Sequence, residues 1–145
     1  MTYLGLKYAH ILIAIVSVGT NAALVVLLEF FAADPDHGAF MLGTVRRLLH
    51  FVVMPGYVLM LITGMWMGHM ASLLDEHWAE SAMNLWGVGF LFFVASSFVL
   101  KRQIRLFAEQ GPASAAYRRV AVFGRFCALG SGVVIVTILT FMVFK

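Results

Sequence analysis

Four long stretches of the chain carry no charged residue: Tyr8–Leu28, Leu48–Leu74, Ser81–Leu100 and Phe126–Phe144. Each approaches or exceeds the roughly 20 residues that an α-helix needs to cross a bilayer. Apolar residues cover every face of these runs instead of alternating, so the pattern predicts membrane-spanning helices and not the strands of a barrel. The interruptions are short. Asp34-Pro35-Asp36 marks a turn over Ala32–Gly38, after which a helix restarts near His37 and continues through Arg46 and Arg47 into the second span. Asp75–Glu80 forms an acidic loop. Gln110-Gly111-Pro112 breaks the third span beyond its cationic extension, Lys101–Phe107, and the fourth begins around Ser114. Such short connections make neighbouring helices antiparallel. The expectation is a single all-α transmembrane domain over 1–145, an up-down-up-down four-helix bundle spanning about 4–31, 46–74, 80–106 and 116–144.

Composition supports the same class. With 62% hydrophobic and 12% charged residues, the chain has too little polar surface to cover a soluble globule. The first apolar run is too long for a cleavable leader, lacks a clustered basic start and is followed by no small-residue cleavage site. The single cysteine, Cys127, lies inside the fourth span and reads as a packing residue.

The charges are unevenly placed. Arg46, Arg47, Lys101, Arg102, Arg105, Arg118, Arg119 and Arg125 share one end of the bundle, against Lys7 and Lys145 at the other. Eight against two is a strong positive-inside pattern, which puts the basic end in the cytoplasm and both termini on the opposite side. Topology and anionic lipid account for the basic surface, so nucleic acid is not a partner on this reading. Trp66, Trp78, Trp86, Tyr3 and Tyr8 are expected to form an aromatic belt at the outer boundary.

Polar residues inside the spans indicate which faces look inward. His10, Ala14, Ser17 and Asn21 form one stripe on the first helix, and lipid offers such side chains no partner. Gly124, Ala128 and Gly132 read as a small-residue seam in the fourth helix. Gly64 and Gly68 in the second leave room either for a neighbouring backbone or for a flat cofactor.

His10 lies three residues inside the first run, counted from Lys7, and His69 six inside the second, counted back from Asp75. The spans are antiparallel, so the two imidazoles are expected at depths differing by about 4.5 Å, which helix tilt absorbs. Facing imidazoles of this kind can hold a haem iron or another metal. For either histidine alone, the plainer reading is an interfacial residue bonded to a carbonyl, headgroup or water. His50 is about 28 Å from His69 along the helix and cannot share its iron; it is an alternative metal position or a partner for Glu29. His37 and His77 read as loop residues. Met65, Met67 and Met70, with His69, offer thioether and imidazole ligands suited to Cu(I), although methionine is also a common apolar filler. Arg125 and Glu29 are the remaining charges within the spans. They are placed to neutralise each other, or Arg125 to hold a propionate, a quinone or an anionic headgroup.

Leu6-Lys7-Tyr8-Ala9-His10-Ile11-Leu12 with Gly19 resembles the first-helix pattern of a group of small bacterial four-helix membrane proteins. That group comprises an uncharacterised conserved family, the haem-containing bacterial protoporphyrinogen oxidases and, more remotely, the membrane copper-resistance D proteins. Arg46-Arg47-Leu48, Met54-Pro55-Gly56 and Thr63-Gly64-Met65-Trp66 resemble their second helix; Tyr117-Arg118-Arg119 and Val143-Phe144-Lys145 resemble their fourth. The resemblance makes His10 the counterpart of a functional first-helix histidine and implies a bacterial inner membrane location. Val16–Leu28 lacks the tryptophan and Pro-Arg pair of the oxidases, and Trp86–Leu100 lacks their lysine and histidine. It therefore implies the fold and cofactor class more than the oxidase reaction.

The leading expectation is a b-type haem protein carrying electrons as a small subunit of a respiratory or quinone-linked complex, with His10 and His69 as axial ligands and Arg125 on the cofactor. The alternatives are a porphyrinogen or quinol oxidase, a copper-handling protein, and a cofactor-free structural or assembly subunit. Partners on these readings are the lipid bilayer, other membrane subunits or a second copy of the chain, and quinone. Reporter fusions test the orientation: fusions at Ala32–Gly38 and Ala108–Ser114 should be active only with cytoplasmic reporters, and periplasmic activity at either would overturn the charge argument.

Overall fold

A computed structural model of the protein describes residues 2–144; Lys145, counted above among the basic residues, lies outside them. The chain folds as α1 (Tyr3–Phe31), α2 (Gly38–Leu48), a π-helical turn (Leu49–Val53), α3 (Met54–Met70), α4 (His77–Gln110) and α5 (Ala115–Val143). α2, the π turn and α3 form one continuous helix, Gly38–Met70, so four helices are long and apolar enough to cross a membrane. No strand occurs among the described residues. The protein is an all-α membrane bundle. Its outer surface is apolar, with Phe51 80%, Leu91 68% and Phe126 66% exposed, as a lipid-facing surface requires.

Local chemistry sets the helix ends. Thr2 accepts the Gly5 amide and Ser114 the Tyr117 amide, capping α1 and α5. Asp34 accepts the amides of Asp36 (2.8 Å) and His37 (3.1 Å), which tie down the turn into α2 and hold its carboxyl below the ordinary range. α3 stops at Met70, earlier than the apolar run suggests. Ser72 turns left-handed (φ 53°), Leu73 donates to the Gly68 carbonyl and Ser72 to that of His69, a Schellman closure that apolarity alone does not reveal. Gly111 (φ 76°) ends α4 where the Gly-Pro pair predicts a break. His77, expected in a loop, opens α4.

The π turn has a cause in the sequence. Pro55 has no amide for the Phe51 carbonyl, and its ring crowds that oxygen in a regular helix. One widened turn relieves this, and Met54 bonds five residues back to Leu49. His50, inside the turn, donates from Nδ1 to the Arg46 carbonyl at 2.9 Å.

α1 packs along α3 and α4 along α5, while α2 joins the two pairs at the basic end. There Leu42, Val45, Leu106 and Tyr117 are buried together. α1 and α3 cross most closely at Ser17 and Gly56: a Cβ on Gly56 would overlap the Ser17 hydroxyl. Two expectations are corrected. Trp86 is not a belt residue; it stacks between Tyr57 and Phe90 and donates to the Tyr57 carbonyl. Gly132 faces open space, and the tight positions of α5 are Gly124, against Val99, and Gly130, against Phe92. Cys127 is buried, as a packing residue should be.

The crossing yields a test. Gly56→Ala should lower stability by about 1–3 kcal/mol, since turning the Ser17 hydroxyl aside still leaves the Ser17 Cβ 2.9 Å from the new carbon. Ser17→Gly should recover part of that loss, because both atoms that meet the new Cβ most closely belong to Ser17. Thermal unfolding in detergent checks both; an unaltered midpoint in Gly56→Ala would show that the helices do not approach this closely.

Candidate functional site

His10 projects from the polar stripe of α1 onto α3. Its Nδ1 lies 2.7 Å from Thr63 Oγ1, and the Thr63 hydroxyl donates to the Leu59 carbonyl at 2.7 Å. With the hydroxyl proton on the Leu59 carbonyl, the matching partner is the His10 tautomer that donates from Nδ1–H and keeps the lone pair on Nε2. Gly64 packs beside the ring, where a Cβ would sit 3.4 Å from Cε1, at contact distance. The imidazole is thus held at Nδ1, and its Nε2 makes no hydrogen bond among the described residues. Such an outer hydrogen bond is how proteins orient metal-binding histidines.

His69 is placed differently from the depth estimate. From His10 to Ser17 is seven residues along α1, and from Thr63 to Gly56 is seven along α3 in the opposite direction, so the register is continuous. It sets His10 level with Thr63 and His69 level with Leu4. His69 therefore lies six residues beyond the level of His10, about 9 Å along the axis and about 120° around it from Thr63. Counting inward from the nearest charge failed because Lys7 lies inside α1, level with Trp66, whereas Asp75 lies in the loop beyond the end of α3. His69 is exposed at the end of α3, as are Met65 and Met70, with Met67 partly covered. Leu74 folds back over Gly68, so that glycine serves the loop. Among the described residues, no group of three or more His, Cys, Asp and Glu side chains converges.

His50 has both nitrogens in use. Nδ1–H donates to Arg46, and Nε2 accepts from the Ser97 hydroxyl at 3.2 Å. It fastens the π turn to α4 and does not pair with Glu29. Glu29 instead meets Arg125, Oε2 to Nε at 2.9 Å, linking α1 to α5 as their shared position toward the basic end suggests. His37 is exposed beside Asp34 at 3.3 Å.

The ion pair stands at a cleft of ≈ 540 Å³ between α1, α4 and α5, where α1 and α5 barely touch. Leu24, Val25, Leu28, Val99 and Leu100 supply apolar walls; Asn21, Gln103, Tyr117 and Arg125 supply polar atoms. Behind it, Gln103 Nε2 donates to the Tyr117 hydroxyl at 3.1 Å, and that hydroxyl donates to the Ala32 carbonyl, satisfying an orphan acceptor at the end of α1. His10 does not line this cleft; Asn21 is 11 residues from it, about 16 Å along α1. Deeper in the bundle the Tyr57 hydroxyl is buried against Gly89 and has no hydrogen-bond partner among the described residues.

Comparison with known proteins places this geometry in a lineage. A family model described as "Predicted integral membrane protein (DUF2269)" matches residues 4–145. The chain belongs to that family. No curated protein and no solved structure matches it. DUF2269 membership agrees with the uncharacterised branch of the resemblance and with an integral, multi-pass membrane protein.

Ser97 and Gln103 escaped the sequence reading, and Thr63 and Tyr117 entered it only as parts of resembling motifs, with no role assigned. Ser96-Ser97 in an otherwise apolar run was a signal for a polar neighbour, and Thr63 adjoins Gly64. Gln103 was hidden in a cationic stretch. The Glu29–Arg125 pair generates a double-mutant cycle. Either residue changed to alanine leaves the other charge unpaired in lipid, costing about 1–3 kcal/mol, whereas the double change should cost less than the sum. Additive losses in thermal or denaturant unfolding would mean the two charges do not interact.

Proposed function

We propose that the protein is a membrane-embedded electron carrier that takes a b-type haem on His10 Nε2, as a small subunit of a respiratory or quinone-linked complex in a bacterial inner membrane. One observation carries the reading: Thr63 holds the His10 ring at Nδ1, and Nε2 makes no hydrogen bond among the described residues, which suits it to an incoming ligand. His50 shows no such vacancy, because Arg46 and Ser97 occupy both its nitrogens. A haem bound there would supply one-electron chemistry. The chain's contribution would be to hold the group through His10 and to orient that ring through Thr63. His69 is the second candidate ligand, and it reaches the same iron only if the outer turn of α3 departs from the arrangement described above. With the basic end in the cytoplasm, His10 and His69 would lie toward the periplasmic face.

The six-residue offset favours a second reading, a cofactor-free structural or assembly subunit in which the His10–Thr63 bond joins α1 to α3 and Gly64 accommodates the ring. The visible spectrum of purified protein separates the two. The haem reading expects a Soret band with split α and β bands on reduction. These should be lost in His10→Ala and nearly unchanged in His50→Ala. Loss in His69→Ala as well would make it the second ligand. A colourless, metal-free protein would overturn the haem reading in favour of the structural one. Bound copper without haem would overturn it in favour of Met65, Met67, His69 and Met70. Haem retained in His10→Ala but lost in His50→Ala would move the site to the basic end.

A further inference from the structure

The cleft at the basic end has features that packing does not require. Gln103 is only 5% exposed, and it bonds Tyr117 through Nε2 while its carbonyl oxygen lies on the other side, over Gly124 in the cleft wall. A Cβ on Gly124 would meet Val99 Cγ1 at 3.2 Å and lie 3.9 Å from that oxygen, an ordinary contact distance, which places the acceptor beside the cleft wall. Asn21 lines the same cleft and makes no side-chain hydrogen bond among the described residues. Arg125 uses Nε for Glu29, leaving its two terminal amino groups uncommitted. Donors and an acceptor thus converge on one apolar-walled space, where lipid tails can satisfy none of them.

We propose that this cleft is the binding site for a lipid-soluble quinone or its quinol. Four observations select that class. The volume, ≈ 540 Å³, suits a ring headgroup and the first part of a tail. Phe30 (74% exposed) and Leu129 (65%) stand on its rim, so entry is lateral, from within the bilayer. The site's charge is already balanced: Glu29 neutralises Arg125, and an anionic phosphate would have to lie against that carboxylate. The polar groups also serve both forms of such a ring. Its carbonyl oxygens accept from Arg125 and Asn21, and its hydroxyls donate to Gln103 Oε1. The ring occupies the space between Asn21 and Gln103, and the tail leaves between α1 and α5, where the helices barely touch.

This site is independent of the His10 reading, and its test works whatever the cofactor content. Decylubiquinone and menadione are titrated against the purified chain in nanodiscs of neutral lipid, with thermal unfolding of each variant as a folding control. Saturable binding is expected. Asn21→Leu, which breaks no hydrogen bond, and Ala128→Phe, which fills the cleft, should each weaken it at least tenfold without lowering the unfolding midpoint. Should Ala128→Phe disturb folding, Asn21→Leu alone decides. Arg125→Lys, which keeps the ion pair but removes the guanidinium fork, should weaken binding less than either. Phosphatidylglycerol added to the discs should not displace the quinone. The proposal fails if neither quinone saturates, if both variants bind as the unaltered chain does, or if phosphatidylglycerol displaces the ligand, which would assign the cleft to an anionic headgroup.

Discussion

The contact at Ser17 and Gly56 governs the geometry of this bundle. Lipid is as apolar as the side chains facing it, so helices in a membrane gain little from hiding apolar surface and depend on close packing and polar contacts. At Gly56 the backbone of α3 meets α1 with no side chain between, and a buried serine lies in the gap. That approach fixes the register, and the register brings Thr63 and Gly64 opposite His10 seven residues away. Further inward, Leu24 on α1 and Leu49 in the π turn both lie in the core.

The two ends of the bundle meet different demands. Toward the basic end, α2 packs against both α1 and α4, and the space between α1 and α5 is bridged by the Glu29–Arg125 pair and by the Gln103–Tyr117–Ala32 chain of hydrogen bonds. The π turn belongs to this region. Pro55 disrupts the regular ladder, and within the widened turn His50 bonds the Arg46 carbonyl and reaches Ser97 on α4. A proline defect is thereby converted into a link between helices. Toward the other end, α3 closes early, and the exposed His69 and methionines lie beyond the level at which α1 supplies its histidine.

Most of the architecture could be read from the chain because charge-free runs and turn residues act locally. The four helices, the restart before Arg46, the Gly111 break and the inward stripe through His10, Ser17 and Asn21 all follow from patterns within single segments. So does the Glu29–Arg125 pair, since two opposite charges at one depth have few other partners. What escaped were relations between segments. The depth of His69 against His10 depends on the α1–α3 register, and the Ser17–Gly56 contact that sets it has no signature beyond a serine and one glycine among 13. Trp86 looked interfacial because tryptophans favour that boundary, but its ring stacks on Tyr57 and its indole N–H has a carbonyl partner, which makes burial affordable. The cleft was invisible because its polar residues come from three helices.

The account rests on His10 being held by Thr63 with Nε2 free. The most direct measurement is the nitrogen NMR of the histidine side chains in metal-free protein labelled with ¹⁵N-histidine, with His10→Gln providing the assignment. The account predicts a protonated Nδ1 and a bare Nε2 for His10, with that preference lost in Thr63→Val. A proton on Nε2 in the unaltered chain, or a tautomer indifferent to Thr63, would contradict it.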